Sequence, residues 1–337
     1  MSTVILSLDE ARDLSVEILV CHQTSTENAI SVSEALVAAE VDGQKGHGLS
    51  RLPSYAAQSA SGKVDGQAVP QIVARAGAAV RVDAAGGFAF PALELANREL
   101  AVMAPGMGVV AAGIFHSHHF GQAGYHVEKL AEHGLIGLVF GNSPKAIAPW
   151  GGSLGVFGTN PIAFAAPRKS EPPLVIDLSL SKVARGKVMT ASQSGDVIPE
   201  GWALDAGGKP TTDPKAALEG TMLPMGDAKG AALVLMVEIL SAALTSANFG
   251  FEASSFFTPE GPPPGVGQLL IGFAPGPFSA DGFSDRLETL LTAVLDQPGT
   301  RLPGQQRLQN RELARLKGIE ISSKLYEQLM ELRRLPY

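Results

Sequence analysis

The chain is most informative first through what it lacks. Of its 337 residues one is a cysteine, Cys21, so no disulfide can close within it. Cys21 is expected to pack as a small apolar residue on the first helix. There is no long basic run, and the net charge is −7, which argues against nucleic acid as a partner. The start, "MSTVILSLDEARDL", lacks the basic region, long apolar stretch and cleavage site of a signal peptide. The longest apolar stretch, residues 230–247, carries Glu238 at its middle. It reads as a buried helix of a soluble protein, not a membrane span, and the cytoplasm is the expected location. The chain has no H-E-x-x-H, no C-x-x-C, no Walker loop and no internal repeat.

What is present describes an ordinary globular protein, 45% hydrophobic and 18% charged. Its length implies two or three compact units. Capping boxes at Ser7/Glu10 and Thr24/Glu27 announce two helices, and a third is expected over "GLSRLPSYAAQSASG". Short β-rich runs follow from Pro70 to Pro91. Then come a helix at "PALELANRELAVMA", a strand at "GVVAAGIF", a helix at "GYHVEKLAEHG", and strands at "LIGLVFGN", "NPIAFAAP" and "PLVIDLS". Residues 257–268 read as a proline-glycine loop, and two helices close the tail. The expected organisation is a helical segment at 1–65, an α/β core at 66–280 and a helical segment at 281–337 packing with the first. The middle lacks regular βαβ alternation, so a doubly wound sheet is not expected. "GMGVVA" at 106–111 matches G-x-G-x-x-A, but a helix precedes it and a strand follows, the reverse of what a dinucleotide fold needs.

Several stretches carry chemistry. In "GQKGHGLSRLPSY", His47 lies between two glycines and Arg51 follows four residues on. An imidazole there can move a proton, and the guanidinium can hold a carboxylate with two parallel bonds. The alternative is a turn with a solvated His and a surface Arg. "HSHHFGQAGY" at 116–125 concentrates three histidines. With no acidic residue inside it, a metal site is the weaker reading, and no protein-bound metal is expected. From His119 onward it reads either as a glycine turn that offers helix amides to a phosphate or as a purely structural turn. Lys229 sits at the start of the apolar helix, an unfavourable place for a cation unless an anion lies between them.

Taken in order, "GHGLSRLPSY", "HHFGQAGYHVEKLAEHGLIGLVFGN", "APWGG", "FGTNPIAFAAP", "DLSLSKVARGKV", "KPTTDP", "GDAKGAALVLMVEILSAAL" and "RLPGQQR" resemble the type-2 malate/L-lactate dehydrogenases. The likeness covers nearly the whole chain. Within the family the chain looks most like the Δ1-pyrroline-2-carboxylate/Δ1-piperideine-2-carboxylate reductases. The resemblance implies an α/β (α+β), non-Rossmann nicotinamide-binding fold with a helical domain built from N- and C-terminal segments, usually as a homodimer. It implies His47 as proton donor, with His119 or Lys187 as a possible acid/base or relay. Arg51, Thr159, Arg185 and Gly186 would bind substrate. His119, Phe120, Gly121, Gln122, Ala123, Asp177, Leu178, Ser179, Ala228, Lys229, Arg301, Leu302, Pro303, Gly304, Gln305, Gln306 and Arg307 would bind cofactor, with Arg301 and Arg307 able to meet a 2′-phosphate.

Three positions depart from the reductase pattern. Gly46 stands where a serine is usual, Lys187 where an acid is usual, and Ala228 where a histidine is usual. Lysine at 187 suits the 2-hydroxyacid branch. The resemblance as a whole still implies NADPH-dependent reduction of cyclic imino acids to L-proline or L-pipecolate, with NADH as the alternative donor. The alternatives are a 2-hydroxyacid dehydrogenase of the malate or lactate type, and a cofactor-binding protein with weakened catalysis.

Overall fold

The computed structural model describes residues 2–334. Strand β1 (Thr3–Leu6) leads to α1 (Leu8–Cys21), α2 (Thr26–Val41) and α3 (Leu52–Ala60). The hairpin β2 (Gln71–Ala76) and β3 (Ala79–Asp83) precedes α4 (Ala89–Met107), β4 (Val109–Ser117), α5 (Ala123–Glu132), β5 (Ile136–Gly141), β6 (Ile162–Ala166) and β7 (Leu174–Leu178). A smaller region holds α6 (Arg185–Ser194), β8 (Ala203–Leu204), β9 (Pro210–Thr211), α7 (Pro214–Glu219) and β10 (Thr221–Met222). Then come α8 (Asp227–Glu238), β11 (Val266–Phe273), α9 (Gly276–Ser279), α10 (Phe283–Leu295), α11 (Gln305–Lys317), β12 (Ile319–Ser322) and α12 (Ser323–Arg334).

Seven strands form one mixed sheet in the order β2-β3-β4-β11-β5-β6-β7. Only β3 and β4 run parallel; every other neighbour is antiparallel. That order has no repeated right-handed crossover and no topological switch point of the Rossmann kind. Alternation explains why the sheet is covered on both faces. Val110, Ala112, Ile114, Val139 and Leu270 point to one core with α4 and α5. Ala111, Leu138, Phe140, Leu269 and Ile271 point to another with Val234 and Val237 of α8. A third core joins α1, α2 and α3 to Ile319, Ile321 and Leu329 from the chain's end. There β1 pairs with β12, Thr3 opposite Ser322.

The structure redraws several sequence expectations. The central strand β11 was hidden behind the proline-glycine loop, whose last three residues already belong to it. Its apolar run is short, and Gly267 and Gly272 interrupt it. A Cβ at Gly267 would lie 2.0 Å from the carbonyl of Ser241, so only glycine admits the turn of helix packed there. Helix α2 is capped by Ser25, whose hydroxyl accepts from Asn28 N, while Thr24 Oγ1 pairs with Ser59 instead. Helix α3 begins only at Leu52, after two 3-10 turns at Lys45–His47 and Leu49–Arg51. The apolar helix expected to be buried has one open side, with Leu235, Met236, Ile239 and Leu244 exposed. The tail also divides. Arg168 and Lys169 tie α10 to the end of β6 through Glu288 and Asp285, whereas α11 and α12 return to the N-terminal helices. Among the described residues no helix is long and apolar enough to cross a membrane.

Candidate active site

The loop that carries His47 and Arg51 is built on the end of α2. Glu40, buried there, accepts the Leu49 amide at 3.0 Å. Gly48 passes so close that a Cβ would meet Glu40 Oε2 at 2.2 Å. Arg51 folds back so that its Nε donates to the Gly46 carbonyl at 2.7 Å. The Arg51 Nη1 is buried with no partner. A buried guanidinium nitrogen without an acceptor is costly, and a carboxylate is the ligand it best suits. Burial holds this arginine below its ordinary pKa.

His47 reaches across to the end of β4. Its Nδ1 lies 3.3 Å from His119 Nε2, and the two rings stack with centroids 5.2 Å apart. His119 Nδ1 in turn meets the hydroxyl of Tyr55 at 2.5 Å. Tyr55 is wholly buried, and burial pushes its phenol far above the ordinary range, so it keeps its proton. Among the described residues His119 Nδ1 is the acceptor within reach of that proton, so it goes there. His119 then carries its hydrogen on Nε2 and donates to His47 Nδ1, which leaves His47 presenting Nε2–H to a substrate. Both imidazoles are neutral in this state. Burial, and then the charge of Arg51, lower His47 to about 4. The same two causes hold His119 well below its usual value.

The two halves of the histidine cluster have different fates. His116 is exposed in a left-handed conformation (φ 50°) and pairs with Asp83 at 3.0 Å. His118 is buried, its Nε2 3.0 Å from Gln58 Oε1, and it packs edge-on to Tyr55. Burial takes it down to about 3. The described residues contain no group of three His, Cys, Asp or Glu that could hold a metal ion.

A second strip gathers segments remote in sequence along β7. Asp177 accepts the Gly124 amide of α5 at 2.7 Å, bringing His119–Ala123 beside Asp177–Ser179. Met225 N donates to the Leu180 carbonyl at 2.8 Å and Ser181 bridges Pro224, which sets Ala228 and Lys229 beside the same strand end. Leu180 N donates to Thr159 at 2.9 Å. Gly304 lies against Val175, a Cβ there being 3.1 Å from its carbonyl. Asp177, Leu178, Ser179, Ala228, Lys229 and Arg301 are all exposed. An exposed helix start bearing a lysine, next to an open strand end, has the donors a nicotinamide dinucleotide's phosphates require.

Other expected residues face elsewhere. The α5 amide at Gly124 is already taken by Asp177, so that amide is not open to a phosphate. Phe120 is buried, and Gln122 donates to Asp42 at 2.7 Å. Gly121 and Ala123 add only backbone, and Ala123 is buried. Arg307 is turned inward, 3.3 Å from Glu128 and 3.7 Å from Asp42, which also bind Arg311. Its charge is therefore spent inside, and Arg301 is the one exposed arginine of the pair. Leu302 and Pro303 precede the Gly304 contact; Gln305 is exposed and Gln306 bonds Asn310. Arg185 opens α6 and donates to Leu218 O at 3.2 Å; Gly186 and Lys187 are exposed beside it.

Sequence reasoning missed Tyr55, Gln58, Glu40 and Lys63. Tyr55 had a signal, since His47, Arg51 and Tyr55 recur every four residues. Glu238 had one too, a lone carboxylate in an apolar run. It anchors Asn142, Asn160 and the Gly250 amide at 3.1, 2.7 and 2.7 Å, and so fixes the turn that carries Thr159.

A buried arginine nitrogen without an acceptor, a histidine pair beside it and an exposed strip along β7 are the features a candidate site offers. The malate/L-lactate dehydrogenase family model matches residues 6–330, and the chain belongs to that family. It is 54% identical over 304 residues, 90% of each chain, to the (2R)-3-sulfolactate dehydrogenase (NADP(+)) of Chromohalobacter salexigens. It superposes on the Δ1-piperideine-2-carboxylate reductase of Pseudomonas syringae with a TM-score of 0.92, at 41% identity over 98% of this chain and 99% of that one. Against the sulfolactate dehydrogenase of Methanocaldococcus jannaschii the TM-score is 0.91, at 30% identity over 98% and 97% of the chains.

Proposed function

We propose that the protein is an NADPH-linked oxidoreductase that interconverts a small 2-oxo acid and its 2-hydroxy acid, with 3-sulfolactate as the leading candidate. The observation that carries the reading is the partnerless Nη1 of Arg51 beside a neutral histidine pair. It suits a carboxylate whose neighbouring carbon changes oxidation state while its oxygen gains or loses a proton. The sulfolactate choice is supported by the 54% identity and by Lys187, a cation where the imine reductases have an acid. Lys187 would meet the second anion of such a substrate. The stereochemistry would follow that relative, 2R.

The chain's residues would act as follows. Arg51 takes the carboxylate, which fixes the reacting carbon and offsets the charge that, after burial, depresses His47. His47 presents its Nε2 to the substrate oxygen. The residues along β7 would hold a nicotinamide cofactor, which would supply or take up the hydride. In reduction, His47 must first take up a proton, which neutralisation of Arg51 favours. As an imidazolium it gives its Nε2 proton to the oxygen as that gains negative charge, and is left neutral with its hydrogen on Nδ1. In oxidation, His47 must accept on Nε2, and so must hold its hydrogen on Nδ1. Both bonds of the chain then reverse: His47 donates to His119 and His119 to Tyr55. Only a hydroxyl, which can donate or accept, serves at the end of both states. Lys229 and Arg301 would meet cofactor phosphates, and NADH is the alternative donor.

A second reading is reduction of cyclic imino acids. Its support is the 41% identity over 98% of this chain to the Δ1-pyrroline-2-carboxylate/Δ1-piperideine-2-carboxylate reductase of Pseudomonas putida. The same Arg51 and His47 would serve, with the proton going to nitrogen. One panel decides: NADP+ with (2R)-sulfolactate, lactate and malate, and NADPH with sulfopyruvate, pyruvate, oxaloacetate and the two cyclic imines. Turnover confined to the imines would overturn the first reading. Cofactor binding without turnover of any substrate would favour a binding protein. Lys187→Met should penalise sulfolactate far more than lactate. The exposed apolar side of α8 and the helical turn that follows it, with Leu235, Ile239 and Leu244, suits a second copy of this chain. Light scattering should give a dimer for the native protein and a monomer for Ile239→Glu.

A further inference from the structure

The proline-glycine loop after α8 lies over the site, and a single side chain from another part of the fold holds it there. Lys63, just beyond α3, is 3% exposed. Its Nζ donates to three loop carbonyls, Ser255 at 2.7 Å, Thr258 at 2.9 Å and Glu260 at 2.8 Å. All three ammonium hydrogens are thereby used, and none goes to a carboxylate. An ion spent in this way on backbone oxygens organises a loop as a bound cation would. Gln58 adds a bond to the Phe256 carbonyl at 2.9 Å, and Ser61 one to Pro259 at 3.2 Å. The loop so fixed delivers two rings. Phe256 packs 5.2 Å from both His118 and His119. Phe257 lies over the Arg51 guanidinium, 4.3 Å from its carbon to the ring centre, and is half exposed.

We propose that Lys63 is a positioning residue for acid binding, holding the 255–260 loop so that Phe257 covers Arg51 and limits which carboxylates reach it. The proposal rests on the reading of Arg51 as the carboxylate site. Phe257 has two effects there. Its face attracts the guanidinium and keeps it in one orientation. Its bulk also excludes water from the ion pair that an acid would form, which strengthens that pair. A loop free to lift would leave Arg51 in place but wet and less ordered. Acid affinity would fall while the histidine chain, held by Tyr55, stayed intact. The signature is a rise in KM with little change in kcat.

Binding of oxamate, a non-reducible mimic of a 2-oxo acid, to the NADPH complex tests this by titration calorimetry, alongside hydrogen exchange of residues 255–262. Lys63→Met should speed exchange of that segment and weaken oxamate on the order of tenfold, with NADPH affinity unchanged. Lys63→Arg, which can still donate to several carbonyls, should recover most of both. Phe257→Ala should match the loss of affinity, and adding Lys63→Met to it should cost less than twofold more. Arg51→Leu is the control for the underlying reading and should abolish oxamate binding. If Arg51→Leu binds oxamate normally, the site itself is misassigned. If Arg51→Leu fails but Lys63→Met binds oxamate normally, or its loss multiplies with that of Phe257→Ala, the role of Lys63 is overturned. Equal losses of NADPH and oxamate would also overturn it. Should Lys63→Met not fold, Lys63→Gln, which keeps two donors, is read by the same criteria.

Discussion

The two ends of the site are built on opposite principles. At the acid end, Arg51, Tyr55, His118 and His119 are fixed by side-chain bonds and by burial before any ligand arrives. Along β7, the groups expected to meet the cofactor stand in solvent, and backbone contacts, with the Asp177 carboxylate on the Gly124 amide, bring their segments together. The difference follows from what each must do. Moving a proton requires a defined tautomer and a dry setting, and both need a rigid surround. Holding phosphates requires donors and positive charge near an open face, which tolerates looser geometry because charge acts at a distance.

That contrast can be broken at either end. The largest effect belongs to Arg51→Leu, which removes the guanidinium proposed to take the carboxylate. It should lower kcat/KM about a thousandfold, mostly through KM, with cofactor affinity kept; an effect confined to cofactor binding would merge the two ends. Tyr55→Phe removes the end of the hydrogen-bonded chain without emptying its space. A fall in kcat of roughly ten- to a hundredfold is expected, with a changed pH profile; an unchanged profile would mean that the hydroxyl only fills space. Lys229→Ala should raise the Kd for NADPH about tenfold and leave single-turnover rates alone.

The smallest effect is on stability. His47 and His126 are held near 4 and His118 near 3, in each case first by burial. Their folded values lie below the unfolded value of about 6.5. Their contribution is therefore complete above that value and is lost as pH falls from about 6.5 towards 4. Stability should therefore fall on the acid side of that window. Glu40 and Glu238, raised by burial, act in the opposite sense. Urea unfolding at several pH values should show the acid loss, and His126→Gln, remote from substrate, should flatten it. Cofactor-strip substitutions such as Lys229→Ala should leave the slope untouched.

The same contrast governs how much the sequence disclosed. Periodicity and caps announced α1, α4, α5 and α12, because a one-sided helix writes its burial at fixed spacing. The middle strand β11 left little trace, since a strand buried on both faces is only a short apolar run. At the acid end, His47, Arg51 and His119 were legible as chemistry, but their meeting is a tertiary fact: 72 residues separate the two histidines that bond. Lys63 looks ordinary in sequence, because its role depends on what folds onto it, and the four-residue spacing of Tyr55 from Arg51 does not by itself say which histidine it meets. Arg307 shows the converse. Its motif suggested a phosphate, yet Asp42 and Glu128, 265 and 179 residues away along the chain by number, claim its charge.

The most direct test of the account compares His47→Ala with the native enzyme for NADPH affinity and single-turnover rate in the same preparation, with the best substrate of the panel. The account predicts a rate lower by about a thousandfold and a cofactor Kd changed by less than about twofold. A rate near the native one, or a Kd that worsens in step with the rate, would contradict the division of labour between the buried histidines and the open strip.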